Sequence, residues 1–476
     1  MALSSASWSA LWRGHHLVYT LLLTLSIGIH ALGMHMLATV LPSIVADLGG
    51  AAFYAWATLL YTIASIIGTV CGGLLMARLD LRRGYLVGAL VFLGGSVGCA
   101  MAPHMAVLLV ARTLQGLGSG LLVAIAYSMV SELYIDVLRP RVLSAISGMW
   151  GVAALLGPMV GGMFAASGWW RGAFWVTMPV LVPLSMLAWY TLPPVDIHAG
   201  GGRFPLLRLT LLALGVLGVA TSGQVPFLVL RLALISSAVI LVGWAFHLDN
   251  RAANRLFPSQ PLSLKTSVGI ASWIFLLLGI TTSQATVFMP LIVHVLYGVS
   301  LLKAGYITAL LSMAWTIMAL YSASLLDRWV RVVIVLGPLV ILCGAVGLAV
   351  SIVHAPLLLL GVFVSLIGAG IGVCFAHISS WSIAAARQGE RAVTASAIPT
   401  IQSLGIALGA AIAGLVANTA GLATDISLAT LTAAATWVYG LGIIAPVVLT
   451  VLAWRLVRLQ QRTLRSEHAQ PSWHGE

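Results

Sequence analysis

"ARTLQGLGSG", residues 111–120, sets an arginine and a glutamine in a run whose nearest other charged residues are Arg83 and Glu132. Glycines follow at 116, 118 and 120. The surrounding apolar run, 106–131, is long enough to cross a hydrocarbon layer of about 30 Å as one helix. A charged side chain at the centre of such a helix costs at least ~2.5 kcal/mol on insertion scales. Arg112 is therefore expected to face protein or a water-filled cavity, with Gln115 beside it.

The rest of the chain repeats the apolar theme. Of 476 residues, 61% are hydrophobic and 7% charged, and the mean hydropathy is +1.07. Those values lie outside the range of water-soluble domains and describe an integral membrane protein. Apolar runs of helical length predict about fourteen spans, near 17–44, 53–77, 84–101, 106–131, 142–166, 173–192, 206–222, 227–247, 268–296, 301–325, 332–353, 356–382, 394–418 and 432–457. With the N-terminus inside, all 23 lysines and arginines fall in inner loops and tails except Arg171, Arg231, Lys303 and the in-span Arg112. The even span count and this asymmetry support each other, and both termini are expected to be cytoplasmic at a cell inner membrane. The net charge of +12 is dispersed over loops facing anionic lipid, so it does not indicate nucleic acid. Cys71, Cys99, Cys343 and Cys374 read as reduced, buried small hydrophobes. The leader "MALSSASWSALWRGHH" precedes a span too long for a cleaved signal peptide and is read as retained.

Two polar breaks divide the chain. "PPVDIHAGGGRFP" at 193–205 reads as a linker, and "HLDNRAANRLFPSQPLSLK" at 247–265 follows the next two spans. The expected plan is an N-terminal six-helix bundle (1–192), a linker with two extra, peripheral transmembrane helices (193–265), a C-terminal six-helix bundle (266–457) and a cytoplasmic tail (458–476). An internal repeat supports it: "RTLQGLGSG" at 112–120 aligns with "VSLIGAGIG" at 364–372, so glycines recur at 368, 370 and 372. Spaced glycines let a neighbouring helix approach closely, so the shared pattern is read as packing. Arg112 and Gln115 have Val364 and Ile367 as counterparts, and the polar pair belongs to the first half alone.

"ARTLQGLGSG" resembles the R-x-x-Q-G motif in the fourth helix of major facilitator superfamily transporters. "GPMVGG", Gly157 to Gly162, resembles the antiporter motif of its drug-exporting branches. "WWRGAFWVTMP" at 169–179, "PLIVHVLYGVSLLKAG" at 290–305 and "IQSLGIALGAAIAG" at 401–414 are similar to segments of the fourteen-helix drug:proton antiporter family. The resemblance covers nearly the whole chain and implies an all-α membrane protein of the major facilitator fold. It further implies a seal between bundles at Gly157, Pro158, Gly161 and Gly162, the alternative being a plain packing kink. For Arg112 it implies a role in proton transfer, the alternative being a structural hydrogen-bonding arginine.

The chain departs from the family pattern in informative places. At "GGLLMARLDLRR", 72–83, Gly73 and Arg78 match the cytoplasmic loop motif, but its acid position holds Ala77 and its second glycine Asp80. Asp80, Glu132 or Asp136 are candidates to supply the missing carboxylate. "LLDRWVR" keeps Asp327, Arg328 and Arg331 in the matching loop of the second half. In span one the position that often carries a membrane aspartate is Gly33, and each of the 11 acidic residues falls at a span end, in a loop or in a tail. Histidine is the remaining titratable group. His30 lies on nearly the same helical face as Gly33, and His35 lies about 140° around from His30. Either is a candidate proton carrier, since histidine titrates near pH 6.5, or else a neutral hydrogen-bonding residue; Glu132 is the third candidate. Gln115, Tyr127, Trp150, Gln284, His294, Trp315, His377 and Trp381 are the candidate cavity residues, with Tyr61 as a further aromatic; His294 is also a candidate gate.

The absence of a midplane acid argues against a permanently cationic substrate. The expected function is a proton-coupled exporter of neutral, zwitterionic or anionic amphiphiles, with protons and lipid as partners, in a monomer. The alternative is an uncoupled facilitator, or an exporter of an anionic metabolite such as a siderophore. No nucleotide-binding lysine motif, nucleophile elbow or metal-ligand spacing supports an enzyme, and no cofactor is expected.

Overall fold

The computed structural model describes residues 11, 13–76, 79–135, 138–193, 205–252, 255–322, 327–387 and 390–469. Among these described residues seventeen α-helices run in chain order: α1 Gly14–Leu48, α2 Trp56–Met76, α3 Leu81–Ala100, α4 Met105–Leu133, α5 Arg139–Ala166, α6 Gly172–Trp175, α7 Met178–Thr191, α8 Leu206–Ser222, α9 Leu228–Arg251, α10 Ser267–Thr286, α11 Met289–Tyr297, α12 Leu301–Ser322, α13 Asp327–Ser351, α14 Leu357–Ala384, α15 Arg391–Ala417, α16 Leu428–Gly442 and α17 Ile444–Ala469. Among the described residues thirteen stretches are long and apolar enough to cross a membrane, and the seventeen-residue α8 is a shorter apolar helix between them. α6–α7, α10–α11 and α16–α17 each form one such stretch broken within the layer. The chain reading made these single helices. A proline explains each break: Pro179 and Pro290 sit in the first turns of α7 and α11 and Pro446 near the start of α17. Proline lacks the N–H that would continue the preceding helix and is tolerated at a helix start.

The two halves pack by the same plan. In the first, α1 lies on α5, and α2 and α3 both lie on α4. In the second, α10 lies on α15, and α12 and α13 both lie on α14. The repeated glycines create these contacts. A Cβ added at Gly116 or Gly120 would meet the α2 backbone at Tyr61 or Ser65, and one at Gly118 would meet the α3 backbone at Phe92. Gly368 and Gly372 face the α12 backbone at Leu311 and Trp315, and Gly370 faces α13 at Gly337, so position by position the repeat makes the same contacts. Any larger side chain would push two helices apart.

α8 packs on α9 and α15, and α9 carries Val229, Val239 and Ile240 on exposed positions. At the base of this hairpin Arg208 Nη1 donates to Asp249 Oδ1 in a buried pair. Asp249 also accepts the Leu256 and Phe257 amides at 2.9 Å, which fastens the connector to α9.

The bundles are joined at one end only. The larger apolar core takes in the second half together with α1 from Met36 to Val45, α2 from Tyr54 to Ile63 and the start of α4. A separate core holds Leu22–Ile29, Leu81–Phe92, Leu122–Val130 and Leu181–Leu192. The first bundle is thus fused to the second where α1 ends, and parted from it where α1 begins. Asn418 Nδ2 donates to Ala52 O at 2.9 Å across the joined end.

Candidate functional site

α4 places Arg112, Gln115 and Ser119 at helical spacings of three and four, a single stripe aimed into the first bundle. All three are buried at 1% exposure. Arg112 Nη1 donates to Gln115 Oε1, and Gln115 Nε2 donates to Ser96 Oγ on α3 at 2.8 Å. The guanidinium lies over the ring of Tyr61 on α2, 4.1 Å from its centroid, and Nε points to Ala57 O at 3.4 Å. Among the described residues no carboxylate pairs with it; an amide, an aromatic face and peptide oxygens hold the charge. Tyr61 OH donates to Ser119 Oγ at 2.8 Å. His30 Nδ1 on α1 meets the same Ser119 Oγ at 2.5 Å and Tyr61 OH at 3.1 Å. The His30 ring stacks on Tyr61 at 5.8 Å and meets Trp150 of α5 edge-on at 5.6 Å. A continuous polar path therefore runs from Ser96 through Gln115, Arg112, Tyr61 and Ser119 to His30, across four helices.

Gly33 faces this path. A Cβ there would stand 3.9 Å from Tyr61 OH with nothing else in reach, so the position that lacks an acid has room for one. His35 lies on another side of α1, where Gly157 of α5 packs against its Cβ, and its Nε2 has no hydrogen-bond partner.

The "GPMVGG" segment forms a seam. Gly157 and Gly161 press on α1 at His35 and Met36, whereas Gly162 presses on Leu302 of α12, in the other bundle. Gly305 of α12 in turn faces Thr39 and Pro158. The small residues of α5 and α12 thus let α1, α5 and α12 meet on the joined side.

The remaining candidates are dispersed. Tyr127 and Trp150 are exposed, at 50% and 38%. Trp315 and Phe275 both pack on Phe375, at 5.7 and 5.3 Å between ring centroids. His377 Nε2 donates to Ser322 O at 3.2 Å, bridging α14 to the end of α12, and Trp381 is half-buried on the core. Gln284 is buried in the second bundle, its Oε1 without a partner beside Gly442 of α16. His294 Nδ1 bonds Val299 O at 2.6 Å and closes the turn after α11. Asp80 caps α3 by accepting the Arg83 amide at 2.7 Å and pairs with Arg83 Nε at 3.6 Å; Glu132 is exposed at the end of α4. Gly73 lies in α2, and Asp327 and Arg328 open α13. Ala77, Arg78 and Asp136 lie outside the described residues. Among the described residues no three His, Cys, Asp or Glu side chains group as a metal site.

Sequence reasoning found Arg112, Gln115 and His30 but missed Ser119 and Ser96. Ser119 stands one helical turn beyond Gln115 on the stripe, and that spacing was the available signal.

The Major Facilitator Superfamily model matches residues 23–410. The chain is 31% identical over 434 residues to a probable multidrug-efflux transporter of Mycobacterium tuberculosis, covering 87% of this chain and 91% of that one. It is 25% identical over 402 residues to multidrug resistance protein 3 of Bacillus subtilis, covering 83% and 78%. Among solved structures it resembles a bacterial homologue of the human lysosomal transporter Spinster, inward-facing and unoccupied, with a TM-score of 0.68 at 14% identity over 97% of this chain and 100% of that one. The nucleoside transporter NupG gives a TM-score of 0.66 at 14% identity, over 92% and 99%. The chain belongs to the major facilitator superfamily and is a multi-pass membrane transporter, not an enzyme.

Proposed function

We propose that this protein is a proton-coupled exporter of amphipathic organic compounds, working by alternating access in a cell inner membrane with both termini cytoplasmic. The multidrug-efflux names of its relatives support export of drug-like molecules. The observation that carries the coupling is the buried path from Arg112 to His30, a fixed cation and a titratable ring joined through Tyr61 and Ser119 with no carboxylate. Such groups are costly inside a membrane and are retained there for ion or proton movement. Arg112, Tyr61 and His35 are the other titratable or charged groups around His30.

Alternation needs two arrangements of one pair of bundles. The joined end, sealed where Gly162 meets Leu302 and Gly305 meets Pro158, is the end that has to part when the cavity faces outward. The Gly157–Gly162 segment acts in this reading as the leak-proof seam. The loop motifs that hold Arg78, Asp80, Asp327 and Arg328 are assigned to gating on their likeness to the family pattern.

The test is uptake of a compound panel into proteoliposomes with and without an imposed pH gradient. Export activity that follows the gradient in the wild type and vanishes in Arg112→Ala, with poor rescue by Arg112→Lys, is the expected result, because a point ammonium cannot replace a planar fork stacked on a ring. Equal transport without a gradient would replace the antiporter by the uncoupled facilitator.

A further inference from the structure

We infer that the wall of the second bundle holds a binding site for organic anions, in which an aromatic body lies against Phe375 and an acidic group meets Arg391. The inference rests on the transporter reading and names the charge class it carries. A cavity of about 670 Å³ opens at the parted end of the molecule, lined by Phe375, Ala376, Ser379, Ser380, Ile383 and Ala384 of α14 and by Arg391, the first residue of α15. That size suits a drug-like molecule.

Its walls combine apolar and polar groups. Phe375, the deepest aromatic, is held between Trp315 of α12 and Phe275 of α10, so its ring is fixed and offers a flat apolar surface. From Phe375 to Ala384 the helix rises about 13 Å, and along it the lining offers one ring, two hydroxyls and the aliphatic Ala376, Ile383 and Ala384. Ser379 Oγ is bound to its own helix at Phe375 O, which leaves Ser380 as the hydroxyl open to a ligand. At the mouth stands Arg391, exposed, and among the described residues it makes no ion pair.

The neighbouring acid is already engaged. Glu390 Oε1 accepts from Ser259 Oγ and from Arg255 Nη1, the latter at 3.2 Å, and Oε2 accepts the Ser259 amide at 3.2 Å. In the first bundle Glu132 is exposed at the end of α4 and Asp80 caps α3, and neither lines this cavity. The buried Arg112 lies in the first bundle and does not line this cavity. Arg391 is the one charged side chain among the described residues that line the cavity, and beside an apolar wall the field of such a charge is focused and concentrates ligands of the opposite sign. An arginine that offers several donors to a carboxylate adds geometry to that attraction.

The experiment uses the full-length protein in lipid nanodiscs and three fluorescent probes of one shape: pyrenebutyrate, its neutral amide and a trimethylammonium counterpart. The carboxylate is expected to bind at least about tenfold tighter than the cation. Arg391→Gln is expected to remove that preference and leave the amide unchanged, Arg391→Lys to keep most of it, and Phe375→Leu to weaken the carboxylate and the amide alike. Equal affinities in the wild type, or a preference that survives Arg391→Gln, would overturn the site. Counterflow of the same probes in proteoliposomes separates this from the parent reading: exchange of the cation in preference to the carboxylate overturns the charge class and leaves a transporter. Lack of exchange by any compound of the wider panel removes the transporter reading and this site with it.

Discussion

Replacing Arg112 with methionine separates a coupling arginine from a structural one. The side chain is 1% exposed, so methionine of similar length fills the space. Removing the cation recovers the insertion cost of an arginine in a membrane helix, about 2.5–3.5 kcal/mol. Against that stand the loss of a desolvated cation–π stack on Tyr61 at 4.1 Å, about 2 kcal/mol, and the orphaning of Gln115 Oε1, about 1–3 kcal/mol. The 3.4 Å approach to Ala57 O is long and weak and adds little. The terms leave a destabilisation of roughly 1 kcal/mol, compatible with insertion and folding. Thermal unfolding in nanodiscs should show Arg112→Met only a few degrees below wild type, and Arg112→Met with Gln115→Leu should recover part of the loss because the orphaned oxygen is gone. Proteoliposome assays of the same preparations should show gradient-driven transport abolished in both. Wild-type proton-driven transport per folded Arg112→Met molecule, or collapse of the protein with transport intact in what remains folded, would refute the reasoning and make Arg112 a packing residue.

Three further outcomes are expected. Gly368→Ala brings a Cβ to 1.9 Å from Leu311 O and should cost about 1–3 kcal/mol by prising α14 from α12, whereas Gly148→Ala, with open space around it, should be neutral or gain up to about 1 kcal/mol; paired thermal melts compare them. His30→Gln, polar but not titratable, should flatten the pH dependence of transport while substrate binding persists; an unchanged profile would move the role to His35 or Glu132. The Ser259 hydroxyl, and after it the Ser259 amide and Arg255, holds the Glu390 carboxyl below its ordinary range, so its contribution to stability is complete above the unfolded value of about 4.3 and lost as pH falls through the lower folded value. The melting difference between wild type and Glu390→Gln should accordingly be constant above about pH 5 and shrink below about pH 4.

The number of spans and the glycine repeat were legible in the chain because run length and glycine spacing are local signals. Breaks inside three spans were less visible: Pro179, Pro290 and Pro446 lie in apolar runs that keep their hydropathy across the interruption. The charged and amide members of the path stood out against an apolar background. Ser119 and Ser96 did not, since a membrane hydroxyl often satisfies itself on its own helix, as Ser365 Oγ does on Gly361 O at 2.7 Å. Partners on other helices, such as Tyr61 under Arg112 or Trp150 beside His30, depend on contacts 51 and 120 positions apart in the chain, which no window of local sequence contains. The same limit explains His294 and His377, polar residues whose bonding is set by the neighbours each meets, the Val299 carbonyl and the Ser322 carbonyl.

The molecule carries its own control for the role of the polar stripe. Arg112, Gln115 and Ser119 correspond in the repeat to Val364, Ile367 and Ile371, and all three of these are buried to within 1%. The glycines around them make the same contacts in both halves, Gly116 and Gly120 on α2, Gly368 and Gly372 on α12. One slot between three helices is thus filled twice, once by branched aliphatic chains and once by a cation, an amide and a hydroxyl. The aliphatic filling shows that close packing of this helix triple needs no polar group. The polar filling adds the expense of desolvating a guanidinium and ties the slot, through Ser119 and Tyr61, to His30 of α1. This contrast between the halves supports, for the polar stripe, the proposed role in transport over a role in packing, and the paired Arg112→Met measurements decide between the two.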